Sequence, residues 1–571
     1  MNEEINPNLP IRGKGVLAAP LKVTKIPEEK YSSPVDLFDF CFGNFFFENV
    51  HKSTLSYISD HPNLAHPTYK LTLQHIRAYF GYSMIMNDWK PPKMDHQPFL
   101  SQISDSPSDL KVLMGKDWKC PIQVPSKILK FPYKLYDYIS QTLDLGPNYK
   151  VPKLDSKGNP KLKPNGDRVL VWDLRRKLEL FERDSNLLCR QFKKPKDDIL
   201  CFDETLRPSF SVKDQIKIFM PAKSPPYGQK SFSLVDKDLY CYSFTTALPA
   251  QFSYWNGDLE SLFFYCFPDE YLNRGLNVTA DNYFYTISLV ERLAKKHTSI
   301  TATMRQSRMG KAFSDKDYFK SIIEKQSKTE FQRKVDVFQS TFHVDYENKF
   351  GNTQSWDYPI QFCVYHDKIS KNPVLFLCSD PGMMLEGSKS ELLSGKNKPP
   401  ISKLYDSTMF YTDKMDQSLR NYTSSRRNGA GRWTTRWITG RLDVFLNNSY
   451  VLFKNYVTEN LSEETELKKM LNRGSLHTYF QSMVALGLIS DRSNTPDPIP
   501  DPLSAENNVS EPNQFLCCAD LTMKKRKSCQ FGNSHNSSNG YSFVRTVCVA
   551  CHQPTCPDHL TYVCKNCTVT P

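Results

Sequence analysis

No uninterrupted apolar run in this 571-residue chain approaches the roughly 18 residues that a membrane span needs, and no apolar leader follows Met1-Asn2-Glu3-Glu4. The expectation is a soluble, intracellular protein without a membrane partner. Cysteine is scarce over most of the length: eight residues lie singly in the first 516. Motifs such as Asn277-Val278-Thr279 then carry no glycosylation meaning. No internal repeat is visible. Composition excludes a wholly disordered chain, because apolar residues make up 39% and aromatics 13%.

What is present is unevenly placed. Eight further cysteines crowd the last 55 residues, and 74 Lys+Arg against 61 Asp+Glu leave a net charge of +13. That excess fits solubility alone and fits a polyanionic partner equally well. In a reducing compartment a cysteine cluster points to metal rather than to disulfides.

Residues 1–33 read as a tail, and residues 34–197 as mainly helical, beginning with the aromatic run Leu37 to Phe47. Within that part, Pro147 to Asp167 is rich in Pro, Gly, Asn and Lys. It predicts an exposed basic loop with a hairpin around Asn165-Gly166, read as a solvated excursion in preference to a DNA contact. From residue 198 the period becomes strand-like: 199–204, 216–220, 231–235 and 239–244, the last two joined through Asp236-Lys237-Asp238. A strand at 276–280, a helix and a strand at 299–304 form a β-α-β unit, so residues 198–311 read as an α/β sheet domain. Residues 312–402 are less regular, with a charged helix near 316–328 and short strands at 342–344, 360–365 and 374–378. Helical spacing returns at 403–431 and 432–490, a Pro-rich linker follows at 491–513, and the cysteine-rich segment fills 514–571.

Carboxylates at strand ends carry the chemistry. Asp203 ends one apolar strand and Asp281 another, 78 residues later, while Asp413 and Asp416 share a helix face three residues apart. Brought together, such groups repel unless hard divalent cations, Mg²⁺ or Mn²⁺, neutralise them, and that arrangement suits two-metal phosphoryl transfer. Spacing alone equally allows Asp203 and Asp281 to be turn residues.

At the C-terminus, Cys548, Cys551, Cys556, His559, Cys564 and Cys567 form three ligand pairs at zinc spacing. Two tetrahedral Zn²⁺ need a fourth pair: Cys529 with His535, or else Cys517 and Cys518. A cross-brace would join Cys529, His535, Cys556 and His559 at one structural ion and Cys548, Cys551, Cys564 and Cys567 at the other. Lys524, Lys525, Arg526 and Lys527 before it read as a nuclear import signal or phosphate contact. After the third carboxylate, Arg426, Arg427, Arg432 and Arg436 suit DNA phosphates, and Trp433 suits base stacking or a place in the core.

These residues resemble the piggyBac-type transposases. Ile199 to Glu204, followed by Met220-Pro221-Ala222-Lys223-Ser224-Pro225-Pro226-Tyr227-Gly228-Gln229-Lys230, resembles the first-aspartate segment of that family. Asp281-Asn282-Tyr283-Phe284 resembles the second-aspartate motif, and Asp413-Lys414-Met415-Asp416-Gln417 the third. The cysteine-rich segment is similar to the family's terminal-repeat-binding domain, and its cross-brace also to PHD and RING modules. The resemblance implies an α+β, α/β multidomain chain. Its RNase H-like core, residues 198–311 and 403–431, would be split by an insertion domain at 312–402. Helical DNA-binding and dimerisation parts would flank it at 34–197 and 432–490, before the zinc module. It further implies a DDD triad of Asp203, Asp281 and Asp413 with Asp416 in support. The activity would be cleavage of double-stranded DNA at transposon ends, hairpin formation and joining at TTAA by a nuclear homodimer. A domesticated DNA- or chromatin-binding protein without catalysis is the alternative. Phe410-Tyr411-Thr412 stands where the family usually has glycines, and Ala302 where it tends to have Gly.

Overall fold

The computed structural model describes residues 21–88, 129, 131–146, 148–155, 159–209, 211, 214–221, 223, 225–249, 259–272, 274–304, 334–347, 353–366, 374–384, 389–392, 398–424, 432–490, 527–528 and 543–544. The chain divides into two compact units, Met1–Phe252 with Cys266–Ile499, and Ser253–Tyr265 with Pro500–Pro571. The cysteine and histidine zinc candidates, Arg426, Arg427, Lys524, Lys525, Arg526, the 316–328 helix and the linker lie outside the described residues.

The first unit opens with α1 (Pro34–Phe38), whose Ser33 cap hydroxyl accepts the Asp36 N–H at 3.4 Å, and continues through a π-helical turn into α2 (Asn44–Asp60). The aromatic run is core: Phe42, Phe46 and Phe47 are fully buried, and Phe42 stacks on Phe445 at 4.9 Å. Next come α3 (Leu73–Asp88) and α4 (Tyr133–Thr142). The basic loop is more ordered than a solvated excursion. Its ends pair antiparallel as β1 (Lys150–Pro152) and β2 (Leu170–Trp172), and Gly166 takes φ 84° at the expected hairpin tip. Asp173 then caps α5 (Leu174–Gln191), accepting the Arg176 N–H at 3.1 Å.

The sheet follows the predicted change of period. Its strands are β3 (Ile199–Pro208), β4 (Lys217–Phe219), β5 (Tyr227–Val235), β6 (Cys241–Thr246), β7 (Asn277–Ala280) and β8 (Ser299–Thr303); α6 (Leu259–Cys266), which belongs to the second unit up to Tyr265, precedes β7 in the chain, and α7 (Ile287–Ala294) lies between the last two strands. The predicted turn after β5 is built on Asp236, whose carboxylate accepts the N–H groups of Asp238, Tyr240 and Lys196 at 3.0, 3.1 and 3.2 Å. β9 (Lys334–Glu347), β10 (Thr353–His366), β11 (Val374–Cys378) and β12 (Lys389–Leu392) lie in the segment expected as an insertion. They extend the same ten-stranded sheet, in the order β12-β9-β10-β11-β8-β7-β3-β5-β4 with β6 beside β5. β3, β7 and β8 run parallel and the other pairs antiparallel, so the sheet is mixed.

Helices α8 (Pro400–Thr408), α9 (Phe410–Asn421), α10 (Trp433–Asn460), α11 (Glu466–Asn472) and α12 (Leu476–Ile489) complete this unit. α10 is 28 residues long and buried on most of its circumference, as a central helix must be. Among the described residues no helix is long and apolar enough to cross a membrane.

Candidate active site

Side chains alternate along β3, so Cys201, Asp203, Thr205 and Arg207 share one face. Helix α9 lies on that face: the Thr412 hydroxyl donates to Cys201 Sγ at 3.3 Å, and the Cys201 thiol meets the Met409 carbonyl at 3.7 Å. Arg207 anchors the far end of the strand to α10. It donates to Asp443 Oδ2 at 2.8 Å and to the Thr439 hydroxyl at 3.2 Å, while a side chain at Gly440 would come within 3.0 Å of its guanidinium.

The parallel register sets Phe202 beside Ala280 and Ala280 beside Ala302. One residue further, Asp203 and Asp281 therefore sit on adjacent strands at the carboxyl end of β7, where sites assemble on such sheets. Both also serve locally. Asp203 Oδ1 accepts the Glu204 N–H at 2.8 Å, and Asp281 Oδ1 accepts the Asn282 N–H at 2.5 Å and the Thr303 hydroxyl at 3.3 Å. The Asp281 carbonyl closes a turn with the Phe284 N–H at 3.1 Å, so the turn reading and the site reading hold together.

α9 brings the other two carboxylates. Asp413 is exposed and faces Lys223, whose Nζ lies 3.8 Å from its carboxylate. Asp416 is buried, and burial pushes its pKa up to about 7, against the pull of Arg420, Lys223 and a backbone hydrogen bond from Leu206 on β3. Burial likewise pushes Asp203 up to about 8, reinforced by the Glu204 charge, with Lys223 opposing and Asp281 adding to the rise. Lys230 is depressed by burial. It lies 4.9 Å over the Phe232 ring and 5.1 Å over that of Tyr283, within the field of Glu204 and Asp203. Lys223 and Lys230 both belong to the Pro221 to Lys230 stretch, where the sequence gives them no role of their own. A cation following a strand-end carboxylate by about twenty positions was the only signal for them.

The bulky approach to Asp413 is absorbed elsewhere: Tyr411 and Met415 pack with Cys201, Val235, Cys241 and Val444, and Phe410 turns to solvent. The arginine and tryptophan stretch is also largely committed within the protein. Arg432 pairs with Asp144, donates to the Gln141 carbonyl at 2.9 Å and lies 4.3 Å over Tyr57. Arg436 donates to the Pro208 carbonyl, and burial is the main cause that lowers its pKa. Trp433 is half-buried at the start of α10, where its carbonyl accepts from Gln229 at 3.0 Å.

Among the described residues no three His, Cys, Asp or Glu side chains close into a ready metal cluster. The donor set nonetheless fits a hard cation. Asp203 is half-buried with its pKa raised, and an all-oxygen group of Asp203, Asp281 and Asp413 suits Mg²⁺ or Mn²⁺ better than zinc.

Residues 189–450 match the family model described as Transposase IS4. That match spans the strands and helices that carry Asp203, Asp281, Asp413 and Asp416. A solved structure similar to the chain is the cryo-EM structure of a piggyBac transposase synaptic complex with hairpin DNA. The two superpose with a TM-score of 0.52 at 17% identity, over 95% of this chain and 98% of that one. The chain therefore has a fold like that of the piggyBac transposase in that complex. No curated protein matches it.

Proposed function

We propose that this protein is a piggyBac-type DNA strand-cleaving and strand-transferring enzyme built on an RNase H-like core, with Asp203, Asp281 and Asp413 holding two Mg²⁺ or Mn²⁺ ions. The observation that carries the reading is the parallel register that sets Asp203 beside Asp281, with α9 laying Asp413 and Asp416 over the same strand. When bound, the ions would activate a water or 3′ hydroxyl and stabilise the leaving oxygen of the phosphodiester. The chain's own groups do the rest. Asp416, hydrogen-bonded from Leu206, pins α9 to β3 and so fixes the height of Asp413. Thr303 orients Asp281 through its hydroxyl, and Tyr405, 3.1 Å from Thr303, supports that hydroxyl in turn. Lys223 supplies positive charge beside Asp413.

Hairpin formation at the cleaved end, joining at TTAA, homodimerisation, nuclear import through Lys524 to Lys527 and terminal-repeat binding by a two-zinc module belong to the same proposal. They are supported by the motif order and by the solved relative, whose complex contains hairpin DNA. With full-length protein and an end-bearing duplex, Mg²⁺- or Mn²⁺-dependent nicking is expected and is lost in Asp203→Ala and Asp281→Ala. No nicking by the unmodified protein in either metal would overturn the enzymatic reading in favour of a domesticated DNA-binding protein.

A further inference from the structure

The segment between α4 and α5 is a three-armed β junction. Around its centre three backbone hydrogen bonds close a ring: Lys153 N–H to the Val169 carbonyl at 2.7 Å, Val169 N–H to the Lys161 carbonyl at 2.8 Å, and Lys161 N–H to the Lys153 carbonyl at 2.8 Å. One arm is the β1–β2 stem, a second turns back between Leu154 and Pro160, and the third turns at Asn165-Gly166 between Leu162 and Arg168. The stem is held to α5. Trp172 carries Lys150 at 4.8 Å over its ring, Tyr149 carries Arg176 at 3.7 Å, and the Asp173 N–H donates to the Tyr149 carbonyl at 2.7 Å. A frame this well hydrogen-bonded fixes where its side chains leave the backbone.

Its charges are sorted. The two acids face into the arms: Asp155 accepts the Asn159 N–H at 2.8 Å, and Asp167 accepts from the Asn165 amide at 2.8 Å. Lys153, Lys161, Lys163 and Arg168 are all exposed, and none has an ion-pair partner among the described residues. By contrast Arg190, Lys193, Arg207, Arg432 and Arg441 are paired with carboxylates. Exposed, unpaired cations on a hydrogen-bonded ribbon match a polyanion of fixed charge spacing, and duplex DNA carries one charge per about 1.7 Å of axis. A two-stranded ribbon also fits the width of the major groove.

We propose that this junction is a DNA-binding arm, with Lys153, Lys161, Lys163 and Arg168 contacting backbone phosphates of duplex DNA away from the carboxylate site. The inference rests on the reading of the protein as acting on DNA. Its test is the salt dependence of duplex binding, measured by fluorescence anisotropy on full-length protein between about 50 and about 300 mM salt. The fourfold variant K153Q/K161Q/K163Q/R168Q is expected to flatten the slope of log K against log salt by about 3 to 4. Replacing the three lysines by arginine keeps the slope, and an unchanged melting temperature shows that the arm still folds. An unchanged slope in the glutamine variant overturns the arm, as does a fall matched by the arginine variant. Since the variant leaves Asp203 and Asp281 intact, its nicking at saturating DNA and low salt stays near the unmodified level. An unchanged salt slope in the glutamine variant, with nicking by the unmodified protein present, sinks only this proposal, whereas unmodified protein that neither binds nor nicks DNA sinks both.

Discussion

The protein places carboxylates in two settings that differ in what stands opposite them. Between the helices, each has a cation. Glu182 on α5 meets Arg441 on α10 at 3.1 Å with both side chains 1% exposed, Asp144 is held by Lys177 and Arg432, and Asp443 takes Arg207. At the sheet end the cations are looser: Lys223 lies 3.8 Å from Asp413 and in the field of Asp203, and Arg420 lies 3.9 Å from Asp416. The first setting balances charge within the fold, so each pair is architectural. The second crowds four carboxylates where a cation from outside the chain could bind, and burial first, then neighbouring negative charge, lifts Asp203 and Asp416.

The largest effects should separate the two settings by what each mutation damages. Asp203→Ala or Asp281→Ala is expected to lower Mg²⁺-dependent nicking by about 10³-fold or more while leaving the urea midpoint unchanged or raised, because a crowded charge is removed. Glu182→Ala should do the reverse. It strands the Arg441 guanidinium, and chemical denaturation should show a loss of about 3–5 kcal/mol. The contrast breaks if Asp203→Ala destabilises the protein as much as Glu182→Ala does.

Legibility in the sequence follows the same line. Local pattern exposed the strands, the turn at Asp236 and the strand-end placement of Asp203 and Asp281, since each depends on residues within a few positions. It could not expose the charge pairs. Arg432 looked available to DNA because its partner Asp144 lies 288 positions upstream. Arg441 with Glu182 is hidden in the same way, at a separation of 259. The strands at 334–392 read as a separate insertion because their pairing with β8 runs through β11, which no local signal reveals. The basic loop read as a solvated excursion because the ring of hydrogen bonds that stiffens it joins positions 153, 161 and 169.

A smaller effect tests whether the site takes a cation. Mg²⁺ or Mn²⁺ at about 100 times its Kd should stabilise the unmodified protein by about 2.7 kcal/mol, read as a rise in melting temperature. Asp281→Asn should remove most of that rise. Glu182→Ala, though less stable to begin with, should keep it. A rise that survives Asp281→Asn would place the cation elsewhere and erase the distinction between the two settings.

The smallest effect concerns a buried titratable group that has no ion-pair partner among the described residues. His477 on α12 is sandwiched between Tyr422 at 3.5 Å and Tyr450 at 3.7 Å, beside Asp443, with Lys454 on α10 adding repulsion. Burial, then Lys454, lowers its pKa to about 3, so the folded protein holds the ring neutral. Stability from this group is complete above the unfolded value near 6.5 and is lost as pH falls toward about 3, because only the unfolded chain accepts the proton. At pH 5 that amounts to about 2 kcal/mol, and His477→Phe, which keeps the stack, should flatten this part of the profile. The same burial that raises Asp203 lowers His477, yet the histidine answers it by staying uncharged. If His477→Phe leaves the acid limb unchanged, burial alone is not what sets these groups, and the rise at Asp203 must then be credited to its neighbours Glu204 and Asp281.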